Sequence, residues 1–428
     1  MAATDTLSPS RPHDLADDRP ASVTAPDFRW FWGAHTISTF GDQVSMIAMP
    51  LAVYARTQSA LAVGIAAAME GLAALVFAMI AGVLADRLNH RPLLILTDLV
   101  RFVLLGAAAL MVATVPAFPI VVLFAIAFVM GALRVLHDAA AGAALPVVIR
   151  HADLLRANGR ISGSESAGNA VGPALAGGLM ALGGAGLAFA ADAASFAGSA
   201  IGMGRVRRLR RARRAETAEP LSASLIKADV VEGLSALIRD RDVMRAMTLI
   251  AGMNLVAVAV EAQFIPYAKV LLHLGGAAIG GYFAIGGVAG VLAALYVGRR
   301  EATRGDTMIG GVAVFAAAVM VAGLMPSRVT AAVAFVAAGV GSAMATSHWA
   351  SLRQRRFPVR LLGRVGMASR IVLLSTMLVG FVAGGWISRA AGPEVLYVVC
   401  GAVGLATALW ALLTGLGKLR VIDLTAAP

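Results

Sequence analysis

A single cysteine, Cys400, leaves no partner for a disulfide within the 428-residue chain. It lies in an apolar run, where a thiol packs as a small apolar group. Charged side chains make up only 14% of the residues, against the roughly 25% usual in soluble domains, so a water-facing surface is missing. No G-x-x-x-x-G-K-[ST] loop occurs, which excludes ATP as an energy source within this chain. The spacing of His, Cys, Ser and acidic residues supports neither a metal-ligand cluster nor a nucleophile triad. No metal, no cofactor and no enzyme chemistry are therefore expected. Only Lys227, Lys269 and Lys418 stand among 36 basic residues, a bias of genomic composition rather than function.

What fills the chain instead is hydrocarbon. Hydrophobic residues reach 59% and the mean hydropathy is +0.80. Apolar runs of about 20 residues recur from end to end, the length that crosses a bilayer as a helix. They predict an all-α membrane protein with spans near 28–54, 60–85, 92–115, 118–141, 157–182, 185–204, 246–268, 276–298, 307–326, 329–349, 364–388 and 394–417. These make two six-helix halves, 28–204 and 246–418, joined by a linker at 205–245. The stretch before Phe28 is rich in Pro, Asp, Ser and Thr and reads as a disordered tail without a signal peptide. A second short tail follows at 419–428. The aromatic cluster from Phe28 to Trp32 suggests a membrane surface.

A net charge of +12 would point to nucleic acid in a soluble protein. Here the arginines fall in alternate short loops, so no nucleic-acid partner is expected. The odd-numbered loops hold only Arg56, Lys269, Arg328 and Arg389, and Arg101, Arg134 and Arg370 fall inside spans. The remaining basic residues gather in the even-numbered loops and at both ends, which puts both termini in the cytoplasm of a cell with this protein in its inner membrane. The linker opens with the arginine-rich run 207–214, suited to anionic lipid. A short helix follows with Ile226, Val230, Leu234, Leu237 and Ile238 on one face, a pattern that suits the membrane surface.

One polar interruption organises the first half: Gly82-Val83-Leu84-Ala85-Asp86-Arg87-Leu88-Asn89-His90-Arg91. Charges do not sit bare in hydrocarbon, so this stretch reads as a tight loop in water between two spans. Gly82 permits a close helix contact, and Asp86, Arg87 and Arg91 supply charge beside a helix end. The stretch resembles the G-x-L-a-D-R-x-G-R-R loop of the major facilitator superfamily of transporters, with Asn89 and His90 departing from it. A second stretch resembles the superfamily's antiporter motif, g-x8-G-x3-G-P-x2-G-G. Gly159, Gly168, Gly172, Pro173 and Gly177 fit it, with Ala176 in place of one glycine. In the family this motif is linked to proton-exchanging exporters, while tight helix packing is the plainer reading. Local stretches at Leu155–Asn158, Phe189–Phe196 and Val231–Leu234, with Gly41-Asp42 and Asp98–Arg101, resemble the drug–proton antiporter branch that contains macrolide pumps and the enterobactin exporter.

Ionisable residues inside spans are functional candidates because uncompensated ones cost roughly 2.5–3.5 kcal/mol each. Asp42 lies about twelve residues into the first span, near mid-membrane at ~1.5 Å per residue. Ser38, Ser45, Met46 and Met49 share its helical face, and such a polar stripe continued by flexible Met suits a cavity for irregular apolar molecules. Its other reading is a hydrogen bond to a neighbouring helix. Arg134 matches the arginine that the resemblance ties to proton coupling on the fourth span, and a structural ion pair is its alternative. Glu70, Glu165 and Glu261 complete the acids, Glu261 sharing a face with Asn254 and lying nearer the outside, where a gate would be. Asp98 and Arg101, three apart, are expected to pair with each other. The expected protein is a monomeric secondary transporter that exports a small amphipathic molecule in exchange for protons, in contact with membrane lipid. Export of a siderophore or other native metabolite is the second reading, and a transport-silent membrane sensor or scaffold the third.

Overall fold

The computed structural model describes residues 22–115, 117–211, 223–298 and 305–418, and no strand occurs among them. In the first half α1 runs Pro26–Thr57, α2 Ala60–Arg87, α3 His90–Thr114, α4 Val121–Val148 and α5 Leu154–Arg205. A five-residue turn of helix, α6 at Arg207–Arg211, leads to the linker helix α7 at Ala223–Arg239. The second half holds α8 at Arg241–Val270, α9 at Gly276–Gly298, α10 at Gly305–Leu324, α11 at Arg328–Arg356, α12 at Val359–Ala391 and α13 at Pro393–Leu413.

Ten of these helices are long and apolar enough to cross a membrane. One of the ten, α5, has 52 residues, far more than the ~20 that a single crossing needs. Its backbone leaves helical geometry at Gly183 and Gly184, and Gly184 takes φ +66°, a conformation that only glycine adopts freely. The chain turns back there, so α5 contributes two spans. With α1, which is 32 residues long but polar along one side, the spans number twelve, in two halves of six. Turns are closed by local chemistry. Ser59 caps α2, Asp240 caps α8, and Ser327 with Thr330 forms a capping box at α11.

Most helices extend past the apolar runs, because hydropathy marks the hydrocarbon portion and not the watery turns beyond it. Thus α4 continues to Val148 and α11 to Arg356. The polar interruption is mostly helix as well: α2 persists through Arg87, and only Leu88 and Asn89 separate it from α3. Phe28 and Phe31 are fully buried among Leu93, Leu94 and Val148, while Trp30 of the same cluster is 41% exposed. His348 and Trp349 are likewise buried residues of α11. The linker helix packs on α12: Gly233 sits against the Arg364 carbonyl, Glu232 pairs with Arg364 at 2.5 Å, and Leu237 is buried. Leu234 and Ile238, expected on the same face as Leu237, remain exposed. Ile226 lies outside the residues whose side chains are described.

Two seams join the halves. Along α2 and α12, Gly64 lies against Phe381 and Gly385, and Gly71 against Met377 and Leu378. Along α5 and α9, Gly177 meets Gly276, Ala277 and Gly280, and Gly287 meets Asn169 and Ala170. Gly64 and Gly177 lie toward the ends of their helices that face away from the chain's two termini. At the other ends, a side chain added at Gly82, Gly159 or Gly363 would meet no atom within 4 Å. The halves therefore touch on the side away from the termini and part on the side that carries them.

Candidate functional site: a chain of cavities between the halves

Three cavities follow one another inward from the open side. The first, about 420 Å³, is lined by polar groups of α1, α4 and α5, among them His35, Asp42, Gln43, Asp138, Glu165 and Asn169. A small one of about 40 Å³ continues it past Asp42, Arg101, Glu70 and Arg134. The third, about 330 Å³, lies between the halves and is mostly apolar, walled by Met46, Met49, Ile265, Phe283, Met377 and Phe381. Arg134 lines all three, and Met46, Met49 and Glu70 line the last two.

Sequence order explains this gradient. On α1 the residues at 35, 39, 42, 46 and 49 recur at helical spacing, so one face passes from His and Thr through Asp to Met. The second half answers with Val258, Glu261, Ala262 and Ile265 from α8, and with Met377 and Phe381 from α12. Flexible Met and the flat ring of Phe adapt to apolar bodies of varied shape.

The charged groups are paired across helices. Asp42 accepts from Arg101 at 3.0 Å, and Arg101 is 1% exposed, its guanidinium 4.3 Å from the Phe196 ring. Glu70 faces Arg134 at 3.4 Å, and His35 faces Glu165 at 3.5 Å. Asp98 lies 3.2 Å from His137. The expected Asp98–Arg101 pair is thus not formed, because Arg101 crosses to α1 and Asp98 to α4. Among the described residues, Glu261 has neither a hydrogen bond nor an ion pair. It stands on the wall of the third cavity with Glu70 and Arg134.

Other candidates separate into those at the cavities and those that hold helices together. Met46 and Met49 line the third cavity, whereas Ser38 is buried and donates to the His35 carbonyl at 3.0 Å. Asn254 donates to the Leu373 carbonyl at 3.0 Å and to Thr376 at 3.1 Å, tying α8 to α12. In the glycine-rich segment of α5, a side chain at Gly172 would overlap Gln43 and one at Gly177 would press on α9, while Gly168 faces Thr39. Pro173 is buried, its carbonyl against Gly280. Gly159 and Gly82 make no close contact of this kind. Arg91 donates to the Gly204 carbonyl at 2.5 Å, Arg87 ends α2, and the Asp86 side chain lies outside the described residues.

Sequence reasoning missed four members of this arrangement: His35, Asp138, Asp192 and the pairing of Arg101. The signal for the last was available, since a lone arginine in mid-span needs a carboxylate and Asp42, whose other reading is a bond to a neighbouring helix, lies near mid-membrane on α1.

Comparison with known proteins agrees with the architecture. Residues 31–375 match the family described as Major Facilitator Superfamily. No curated protein matches the chain. A bacterial homologue of the iron transporter ferroportin, in an inward-facing state, is similar at 16% identity over 95% of this chain and all of that one, with a TM-score of 0.66. A bacterial homologue of the human lysosomal transporter Spinster, inward-facing and unoccupied, is similar at 13% identity over 96% of each chain, with a TM-score of 0.67. A peptide transporter in complex with sulfate is similar at 12% identity over 95% of this chain and 98% of that one, with a TM-score of 0.69. At these identities the likeness concerns the fold.

Proposed function

The chain belongs to the Major Facilitator Superfamily, and from that premise we propose that it exports amphipathic small molecules in exchange for protons by alternating access. The observation that carries the reading is the third cavity. It draws methionine and phenylalanine from both halves and keeps Glu70, Arg134 and Glu261 on its wall. At about 330 Å³ it falls within the ~300–1,000 Å³ of small-molecule sites. An apolar body docks against Met46, Met49, Met377 and Phe381, and a polar or cationic end turns to the carboxylates.

The arginine distribution makes the open side cytoplasmic, the orientation an exporter needs to load from inside the cell's inner membrane. Asp42 is the preferred coupling acid. It borders the polar first cavity and the small second one, and its arginine partner is held in place behind it. A proton taken up at Asp42 weakens the pair with Arg101, and its loss restores the pair. One charge crossing 100 mV supplies about 2.3 kcal/mol, close to a fifty-fold concentration ratio. The protein acts as a monomer, with no cofactor beyond the proton gradient.

Cells with and without the protein, loaded with a panel of dyes and antibiotics, test the substrate class. Lower accumulation of amphipathic members is expected, and equal accumulation of every member would refute it. Purified protein in liposomes with an imposed pH gradient tests the coupling. Asp42→Asn is expected to exchange substrate across the membrane without concentrating it. Concentrative, proton-driven transport by that variant would move the role to Glu70, Glu165 or Glu261.

A further inference from the structure

Asp192 lies about two turns past the Gly183–Gly184 break, inside the second limb of α5, and is fully buried. Among the described residues no cation pairs with it. The charged groups that act on it are Asp42 of α1 and Arg101 of α3, the helices packed on this limb, and Asp98 shares α3 with Arg101. Arg101 is already joined to Asp42 at 3.0 Å, and Asp98 faces His137 of α4 at 3.2 Å. An ionised carboxylate here would be both dry and unpaired, which costs several kcal/mol.

Only neutral groups reach the carboxyl by hydrogen bonds. The Ser195 hydroxyl lies 2.7 Å from the Asp192 backbone carbonyl and 3.1 Å from Asp192 Oδ1, sharing its hydrogen between them. The other oxygen, Oδ2, faces the Ser45 hydroxyl. Two hydroxyls supply no compensating positive charge. Gly41 completes the enclosure, since a side chain there would overlap both Asp192 Oδ1 and Ser195 Oγ.

Ser45 also lines the second and third cavities, so the buried carboxyl touches the transport path through one hydroxyl. We propose that Asp192 is a proton-binding acid, held as the neutral carboxyl in this open state and exchanging its proton with cavity water through Ser45. Dissociation leaves the Asp192 carboxylate, and the hydrogen ion passes to the cavity; uptake is the reverse. This rests on the proton-coupled reading above and adds a second acid one layer behind Asp42.

Infrared spectra of the full-length protein in lipid nanodiscs test the protonation without reference to transport. At neutral pH the wild type is expected to show a neutral-carboxyl band that Asp192→Asn removes and Asp42→Asn leaves. Ser195→Ala and Ser45→Ala keep the carboxyl but remove one hydrogen-bond partner each, and both should shift the band. Transfer to heavy water should shift it in the wild type. A spectrum unchanged by Asp192→Asn, or a band that heavy water does not move, overturns the proposal. In liposomes, Asp192→Asn is expected to bind substrate yet lose proton-driven accumulation, and full accumulation by that variant also overturns it. Should the wild type show no proton-driven accumulation at all, the coupled reading fails, while the band still reports whether Asp192 holds a proton.

Discussion

Removing the Asp42 carboxylate should destabilise the protein far more than removing that of Glu70, although both acids face an arginine in the same cavity system. The difference lies in burial. The Arg101 side chain is 2% exposed, and its Nε already has no hydrogen-bond partner. With Asp42→Ala the guanidinium keeps its charge in a dry site, and breaking one side of such a pair costs about 3–5 kcal/mol. Asp42 itself is 18% exposed to the cavity, which places the expected loss near the lower end, about 3 kcal/mol. Arg134 and Glu70 are 42% and 47% exposed, so Glu70→Gln should cost under about 1 kcal/mol. Replacing both members, Asp42→Ala with Arg101→Met, removes the orphaned charge and should recover most of the loss. Equilibrium unfolding of purified protein in mixed micelles, titrated with SDS, measures all three variants against the wild type. Equal stability of Asp42→Ala and Glu70→Gln would refute the reasoning, and so would a double variant no more stable than Asp42→Ala.

In the glycine-rich segment, Gly172→Leu should impair export by forcing α5 off Gln43, while Gly159→Leu should be silent in this state; efflux measured at equal membrane abundance distinguishes them. Glu261→Gln removes the one candidate acid without a partner, so KM for cationic substrates should rise about ten-fold, the loss of ~1.4 kcal/mol, while neutral ones are unaffected. Asp86→Asn should nearly abolish efflux with the protein still in the membrane, by losing about 1–2 kcal/mol of helix-end interaction near Gly363 in the outward-facing state. Normal efflux by the inserted Asp86→Asn protein would remove that loop from the mechanism.

The twelve spans were legible because hydrocarbon length is a one-dimensional property: a run of about 20 apolar residues needs no knowledge of its neighbours. Even the turn between the fifth and sixth spans stood in the sequence as Gly183-Gly184, where the backbone does break. What the sequence concealed was partnership. Asp98 and Arg101 are three apart on one helix and look like a pair, yet each finds a better-placed group on another helix. Ser38 shares the face of Asp42 by helical geometry, but the neighbouring helices bury it. Glu261 looked peripheral because depth was judged along its own helix alone. The packing of the halves brings it to the same cavity as Glu70. Periodicity assigns a residue to a face; only the neighbour decides whether that face is wet, dry or charged.

The two halves divide the chemistry unequally, and that asymmetry bears on mechanism. The ion pairs within the membrane among the described residues, at Asp42, Glu70, Asp98 and Glu165, all belong to the first half. The second half packs its spans with rings instead: Phe264 lies against Phe335 at 4.4 Å, and Tyr267 stacks on Tyr397 at 4.3 Å. Buried ion pairs change strength with hydration, whereas an aromatic cluster is nearly indifferent to it. On the proposed reading, rocking of the halves slides an apolar wall of Phe283, Met377 and Phe381 across the charged face of α1, α2 and α4. Water then reaches Asp42 and Glu70 when the cavity is open and leaves when it closes. On that reading the first half is proposed to sense the proton and the second to supply the moving dielectric, with Glu261 the acid on that side of the third cavity.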